Sequence, residues 1–159
     1  MLDDITRWAT NADTEPMLAL VDQAGTGKST IAAHMTQKWE EEGTLLARFF
    51  FSKPSMVTAN GLASTLAKDM TKSVPSLRPL VLAALKEHDD FGSCPLQRQL
   101  DWLVYTPLRS LNESRILVID ALDECSKADR AVLLNSILDF ITSFDAGSCP
   151  LKVFLTSRP

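Results

Sequence analysis

The chain has 159 residues, 45% of them hydrophobic and 23% charged, with a formal net charge of −4, which suits one domain (1–159) with one core. The acidic balance and the lack of a basic face argue against nucleic acid as a partner. No apolar run approaches the length of a membrane span, and Met1-Leu-Asp-Asp lacks the basic start of a signal peptide. Cys94, Cys125 and Cys149 are odd in number, far apart and without metal-ligand spacing. They read as reduced packing thiols of a cytoplasmic protein.

In chain order, Ile5 and Trp8 at i, i+3 predict a short amphipathic helix over residues 1–14, and Asn11 to Pro16 a turn. Met17 to Val21 is apolar and too short for a helix, so it is expected to be a buried strand. Next comes Asp22-Gln-Ala-Gly-Thr-Gly-Lys-Ser-Thr30. Ile31, Met35 and Trp39 then continue at helical spacing, with Gly43 as a C-cap candidate. His34, a lone histidine on that helix, reads as a packing or surface residue.

Strand, glycine loop and a helix opening on Lys-Ser is the context of a phosphate-binding loop. Gly25 and Gly27 let the backbone bend until its N–H groups point inward, and the helix start adds its own unpaired N–H groups and positive dipole end. Ala24, Gly25, Thr26, Gly27, Lys28, Ser29 and Thr30 are the candidate nucleotide contacts. Lys28 is assigned to the β- and γ-phosphates, Ser29 to Mg²⁺ and Thr30 to the α-phosphate. Asp22 stands where the full pattern has its first glycine. Facing the phosphates at about 6 Å, its carboxylate would cost roughly 3 kcal/mol per like-charge pair at an effective dielectric near 20.

Leu45 to Ser52 reads as the second strand, its three adjacent phenylalanines buried between helices. Three helical patterns follow. Leu62, Leu66 and Met70 form the first. Ser76 is expected to cap the second, which carries Leu77, Leu80, Val81, Ala84 and Leu85. Leu96, Leu100, Leu103 and Val104 form the third, which Pro107 bends or ends. His88 to Pro95 reads as a surface loop between the last two. Arg115-Ile-Leu-Val-Ile-Asp120 is expected to be a buried parallel strand. Ser126 and Asp129 resemble a capping box for a helix with Val132, Leu133, Ile137, Leu138, Ile141 and Phe144. Leu151 to Thr156 is the fourth strand.

An apolar strand ending in Asp120 places a carboxylate at the C-terminal edge of a parallel sheet, the edge at which open α/β folds bind ligands. Asp120 is therefore expected to help hold the Mg²⁺. Glu124, or next Asp123, supplies a carboxylate to orient or deprotonate the attacking water. Arg158 ends the fourth strand at the same edge, as a charge-stabilising guanidinium near the γ-phosphate.

Ala24 to Thr30, Phe49 to Lys53, Thr65-Leu-Ala67, Ile116 to Cys125 and Thr156-Ser-Arg-Pro159 together resemble the NACHT module of signal-transducing NTPases. The closest resemblance is to the nephrocystin-like N-terminal version abundant in fungi. The resemblance implies an α/β, three-layer P-loop NTPase fold of the additional-strand class, with a mainly parallel sheet in which the fourth strand separates the loop strand from the Asp120 strand. It implies ATP or GTP with Mg²⁺ as cofactors, slow hydrolysis, and a conformational switch joined to effector and repeat domains, with nucleotide-dependent self-association. It also implies that the chain stops after the fourth strand, short of a fifth strand and of helical and winged-helix subdomains, which leaves one edge of Met17–Val21 bare. Two other functions stay open. One is a non-catalytic scaffold with weakened binding. The other is a kinase, against which stand the few and widely spaced arginines (Arg78, Arg98, Arg109) of residues 54–110.

Overall fold

A computed structural model describes residues 1–51 and 59–159. Four strands, β1 (Met17–Val21), β2 (Leu45–Phe50), β3 (Arg115–Asp120) and β4 (Leu151–Ser157), form one sheet in the order β1-β4-β3-β2. Every pairing is parallel. β4 thus separates β1 from β3, the order implied by the resemblance. The registers Val21↔Ser157, Ile119↔Leu155 and Phe50↔Asp120 bring the C-terminal ends of all four strands to one rim.

β3 carries an unbroken branched run, and β4 an apolar one interrupted at Lys152, because helices cover both of their faces. Ile116, Val118 and Phe154 point to one face, where α1 (Leu2–Thr10) and α2 (Lys28–Glu41) supply Ile5, Trp8, Met35 and Trp39. Trp8, Trp39 and Phe154 meet there with ring centroids 5.7–6.4 Å apart, in edge and tilted packing. Leu117, Ile119, Val153 and Leu155 point to the other face. Opposite them lie α3 (Ala59–Ser73), α4 (Arg78–Glu87), α5 (Leu96–Leu100), α6 (Thr106–Leu108) and α7 (Lys127–Thr142).

α2 ends as expected at Gly43, whose φ of 69° lies in the left-handed region open to glycine. The Gly43 N–H bonds to the Glu40 carbonyl and the Thr44 N–H to the Trp39 carbonyl, satisfying two carbonyls of the last turn. Ser126 caps α7: its hydroxyl oxygen accepts the Asp129 N–H at 3.1 Å and its hydroxyl donates to the Asp129 carboxylate at 2.7 Å.

Several expectations are corrected. β2 ends at Phe50, and successive side chains of a strand alternate in direction, so Phe49 is buried in the core while Phe50 is 40% exposed. Ser52 and Lys53, included in the expected strand and motif, lie outside the described residues. Ser76 caps nothing: Pro75 starts a 3₁₀ turn (Pro75–Leu77) and α4 begins at Arg78 after Leu77. Leu80 and Leu85 are more than 40% exposed, since only the narrower stripe of Leu77, Val81 and Ala84 packs on the core. Pro107, by contrast, acts as expected: it both bends and closes the third helix, which stops at Leu108, one residue beyond it. The helix widens first into a π turn (Asp101–Tyr105), in which the Thr106 N–H reaches back to the Asp101 carbonyl, and continues as α6. Proline lacks the N–H that would take the Leu103 carbonyl, so the regular ladder cannot run through it. In α7, Leu138 is 46% exposed and Phe140 takes the buried place, its ring centroid 5.0 Å from that of Tyr105.

Candidate functional site

Between β1 and α2 the chain makes an exposed loop that turns at Gly25 (φ 82°) and Gly27 (φ 87°). A Cβ at either position would have no heavy atom within 4 Å. Glycine is required there by backbone conformation, and the space above the loop is open. The Asp22 N–H donates to the Ser157 carbonyl at 3.3 Å and fixes the start of the loop to the end of β4. The Asp22 carboxylate accepts the Gln23 N–H at 2.7 Å, so it closes a local turn. Lys28 folds back over the loop, its ammonium donating to the carbonyls of Asp22 and Gln23 at 2.5 Å each. Ser29 and Thr30 are exposed in the first turn of α2.

Asp120, the last residue of β3, is 4% exposed. Its Oδ1 accepts the hydroxyl of Thr156, also buried, at 2.5 Å. The same hydroxyl oxygen accepts the Ala121 N–H at 3.0 Å. Thr156 therefore fixes both the carboxylate and the peptide that follows it. Ala121 is the one non-glycine residue with positive φ among the described residues, at 56°. An L-residue in that region costs roughly 1–2 kcal/mol. The sharp turn it makes leads into a 3₁₀ turn, Leu122–Glu124, that carries the acidic pair.

The profile of the family described as nephrocystin 3, N-terminal, matches residues 2–158. The chain belongs to that family. Comparison with curated proteins returns no match. The nephrocystin 3 N-terminal match spans both halves of the rim, from the glycine loop to Arg158, in a single alignment.

Within this nephrocystin 3 N-terminal chain the acidic pair and the arginine meet directly. Arg158 Nε lies 3.0 Å from Asp123 Oδ2 and a terminal nitrogen lies 3.4 Å from Glu124 Oε1. The Arg158 backbone N–H also donates to Asp123 Oδ1 at 3.0 Å. The carboxylate side chains are 17% exposed and that of Arg158 43%. Behind the turn, Arg130 donates to the carbonyls of Asp123 and Cys125 at 3.3 Å.

The structure thus brings Asp123, Glu124 and Arg158 into contact and sets Asp120 beside Thr156. Lys28 contacts its own loop. The loop joins this assembly through the Asp22–Ser157 backbone bond. Sequence reasoning assigned no role to Thr156, Ala121 or Arg130. Thr156 carried a signal: it is a hydroxyl directly after the apolar run Val153 to Leu155.

The residues fit a divalent cation and a polyphosphate in kind. A buried carboxylate, Asp120, and a hydroxyl, Ser29, are hard oxygen donors of the type Mg²⁺ takes. Among the described residues no cluster of three or more His, Cys, Asp or Glu could hold a metal alone. No helix among the described residues is long and apolar enough to cross a membrane.

Proposed function

We propose that the chain is a Mg²⁺-dependent, ATP- or GTP-binding switch module of the NACHT type of signal-transducing P-loop NTPase, with slow hydrolysis. The observation that carries this reading is the shared rim. The glycine loop with Lys28, the buried Asp120 and Arg158 all stand at the C-terminal ends of parallel strands. The α/β sheet with β4 between β1 and β3 supports assignment to the additional-strand class of P-loop folds.

In this reading the loop amides and Lys28 bind the phosphates, and Ser29 and Asp120 would hold the Mg²⁺. The ion would supply charge neutralisation and Lewis acidity at the phosphoryl oxygens. Charge supports the need for it. Asp22, Asp120, Asp123 and Glu124 bring more negative charge to this region than Lys28 and Arg158 offset. A triphosphate without a cation would be repelled. Glu124 orients the attacking water. Turnover is slow in a rim this open to solvent. Effector and repeat domains, and self-association governed by the nucleotide, are the partners this function calls for.

Titration with MgATP and MgGTP under a thermal-shift readout tests the proposal. The wild type is expected to rise in Tm with one of them, and Lys28→Ala to lose most of the rise. An equal shift in both proteins would refute the loop as the binding site. A second reading, a scaffold that has lost useful binding, draws on the Lys28 ammonium being taken up by the Asp22 and Gln23 carbonyls. It predicts no shift with either nucleotide.

A further inference from the structure

The proposed function gives Arg158 and the acidic pair separate tasks, one at the phosphate and one at the water. The geometry points to a different resting state, and we propose that Asp123 and Glu124 hold Arg158 as a latch, which a nucleoside triphosphate must open and a diphosphate does not. This rests on the triphosphate-switch reading and adds how the site is regulated.

Both oxygens of Asp123 are used on Arg158. One takes the side-chain Nε and the other the backbone N–H, each at 3.0 Å. Asp123 is therefore committed to holding the end of β4 and is a positioning residue. Glu124 makes one longer contact at 3.4 Å and is the carboxylate more easily released to a water molecule. The latch ties the turn after β3 to the end of β4 across 35 residues of sequence, the two segments whose residues would face a bound phosphate.

A guanidinium paired with two carboxylates offers little net positive charge to an arriving anion. A terminal phosphoryl group presents several charged oxygens to the guanidinium fork and can replace both the 3.0 Å Asp123 contact and the longer Glu124 contact. A diphosphate lacks that group and leaves the latch closed. Opening would free Arg158 for the phosphate and Glu124 for water in one step. The ion pairs are partly exposed and individually weak, so the latch is easily reversed.

Isothermal titration of the full chain with MgATP, MgADP, MgGTP and MgGDP gives the ratio of triphosphate to diphosphate affinity. Asp123→Asn is expected to raise that ratio by up to about fivefold, the equilibrium factor of an exposed ion pair. Glu124→Gln is expected to raise it less. Adding Arg158→Ala to either variant is expected to abolish the gain. An unchanged or lower ratio in well-folded single variants overturns the latch. So does a gain that survives without Arg158, because relief of negative charge alone would then explain it. If Asp123→Asn does not fold, Glu124→Gln with and without Arg158→Ala decides the matter on the same terms. Wild-type protein that binds none of the four through Lys28 removes the triphosphate reading and the latch together, whereas Lys28-dependent binding with an unmoved ratio removes the latch alone.

Discussion

Thr156 illustrates how one side chain can serve both the core and the site. Its hydroxyl donates to Asp120 Oδ1 and accepts from the Ala121 N–H. It sits near the end of a strand in which Leu151, Val153, Phe154 and Leu155 are buried apolar residues. Thr156→Val keeps the shape and removes both bonds. A hydrogen bond to a charged group is worth about 1.5–3 kcal/mol, so a loss of stability in that range is expected by chemical denaturation. The Mg²⁺-dependent part of nucleotide binding should fall with it, and Thr156→Ser should restore both. Unaltered Mg²⁺ dependence in Thr156→Val would refute the link to Asp120. A second residue gives an independent check of the core. Tyr105 is the single tyrosine of the chain. It is buried against Phe140, with its hydroxyl 2.8 Å from that of Ser136. Burial pushes its pKa well above the ordinary value. A raised folded-state pKa contributes stability that is complete below the unfolded pKa, near 10, and is lost as the pH climbs beyond it. Absorbance at 295 nm is therefore expected to report no tyrosinate until the protein unfolds in alkali. Ionisation near pH 10 in folded protein would contradict this.

Among the elements, what composition and periodicity could convey depended on whether an element is defined locally. β3 was legible because four consecutive branched residues ending in an aspartate leave few alternatives for a strand at a ligand edge. The cap at Ser126 and the stop at Gly43 were legible because both depend on residues within one turn. α4 was misread: Ser76 has the right chemistry, but Pro75 starts a tighter turn before it can act. The role of Lys152 was not legible at all. It lies within an apolar strand, 6% exposed, and its ammonium donates to the Trp8 and Asn11 carbonyls and the Thr14 hydroxyl at 2.6–2.7 Å. Those partners lie more than 130 residues away, and no local pattern encodes them. Lys152 thereby fastens α1 and the turn after it to the sheet. Lys152→Met removes three charge-assisted bonds, although the Trp8 and Asn11 carbonyls still accept from Thr14, and is expected to cost about 1.5–3 kcal/mol. Trp8 should become more exposed to fluorescence quenchers. Full stability in that variant would mean that packing of Ile5 and Trp8 alone holds α1.

For the molecule as a whole, the strand order decides which surfaces remain open. Among the described residues β1 pairs with β4 alone. Its backbone bonds to β4 are made by alternate residues, with the Pro16 carbonyl and Asp22 N–H at the two ends of the series. The N–H and C=O groups of Met17, Ala19 and Val21 consequently point to the other side of β1. Beside that side lies an apolar cavity of about 300 Å³ lined by Met1, Ile5, Leu18, Leu20 and Phe154 among others. An edge of unpaired amides next to apolar surface is a template for pairing with another strand, and proteins commonly guard such edges with lysine. None stands in Met17-Leu-Ala-Leu-Val21. The 159-residue chain is therefore expected to associate as its concentration rises, and light scattering should detect this. Ala19 is exposed, so Ala19→Lys adds a charge to the edge without removing a core contact. It should suppress association while changing stability by no more than about 0.5 kcal/mol, as for ordinary surface substitutions. Association that is unaffected by Ala19→Lys would move its cause away from β1, for example to the exposed Leu80, Leu82 and Leu85 of α4. A wild-type chain that stays monodisperse at high concentration would mean that the β1 edge does not template pairing. The same variant keeps association apart from nucleotide binding: Ala19 precedes the glycine loop and contributes no group to it, so Ala19→Lys should retain any Lys28-dependent thermal shift.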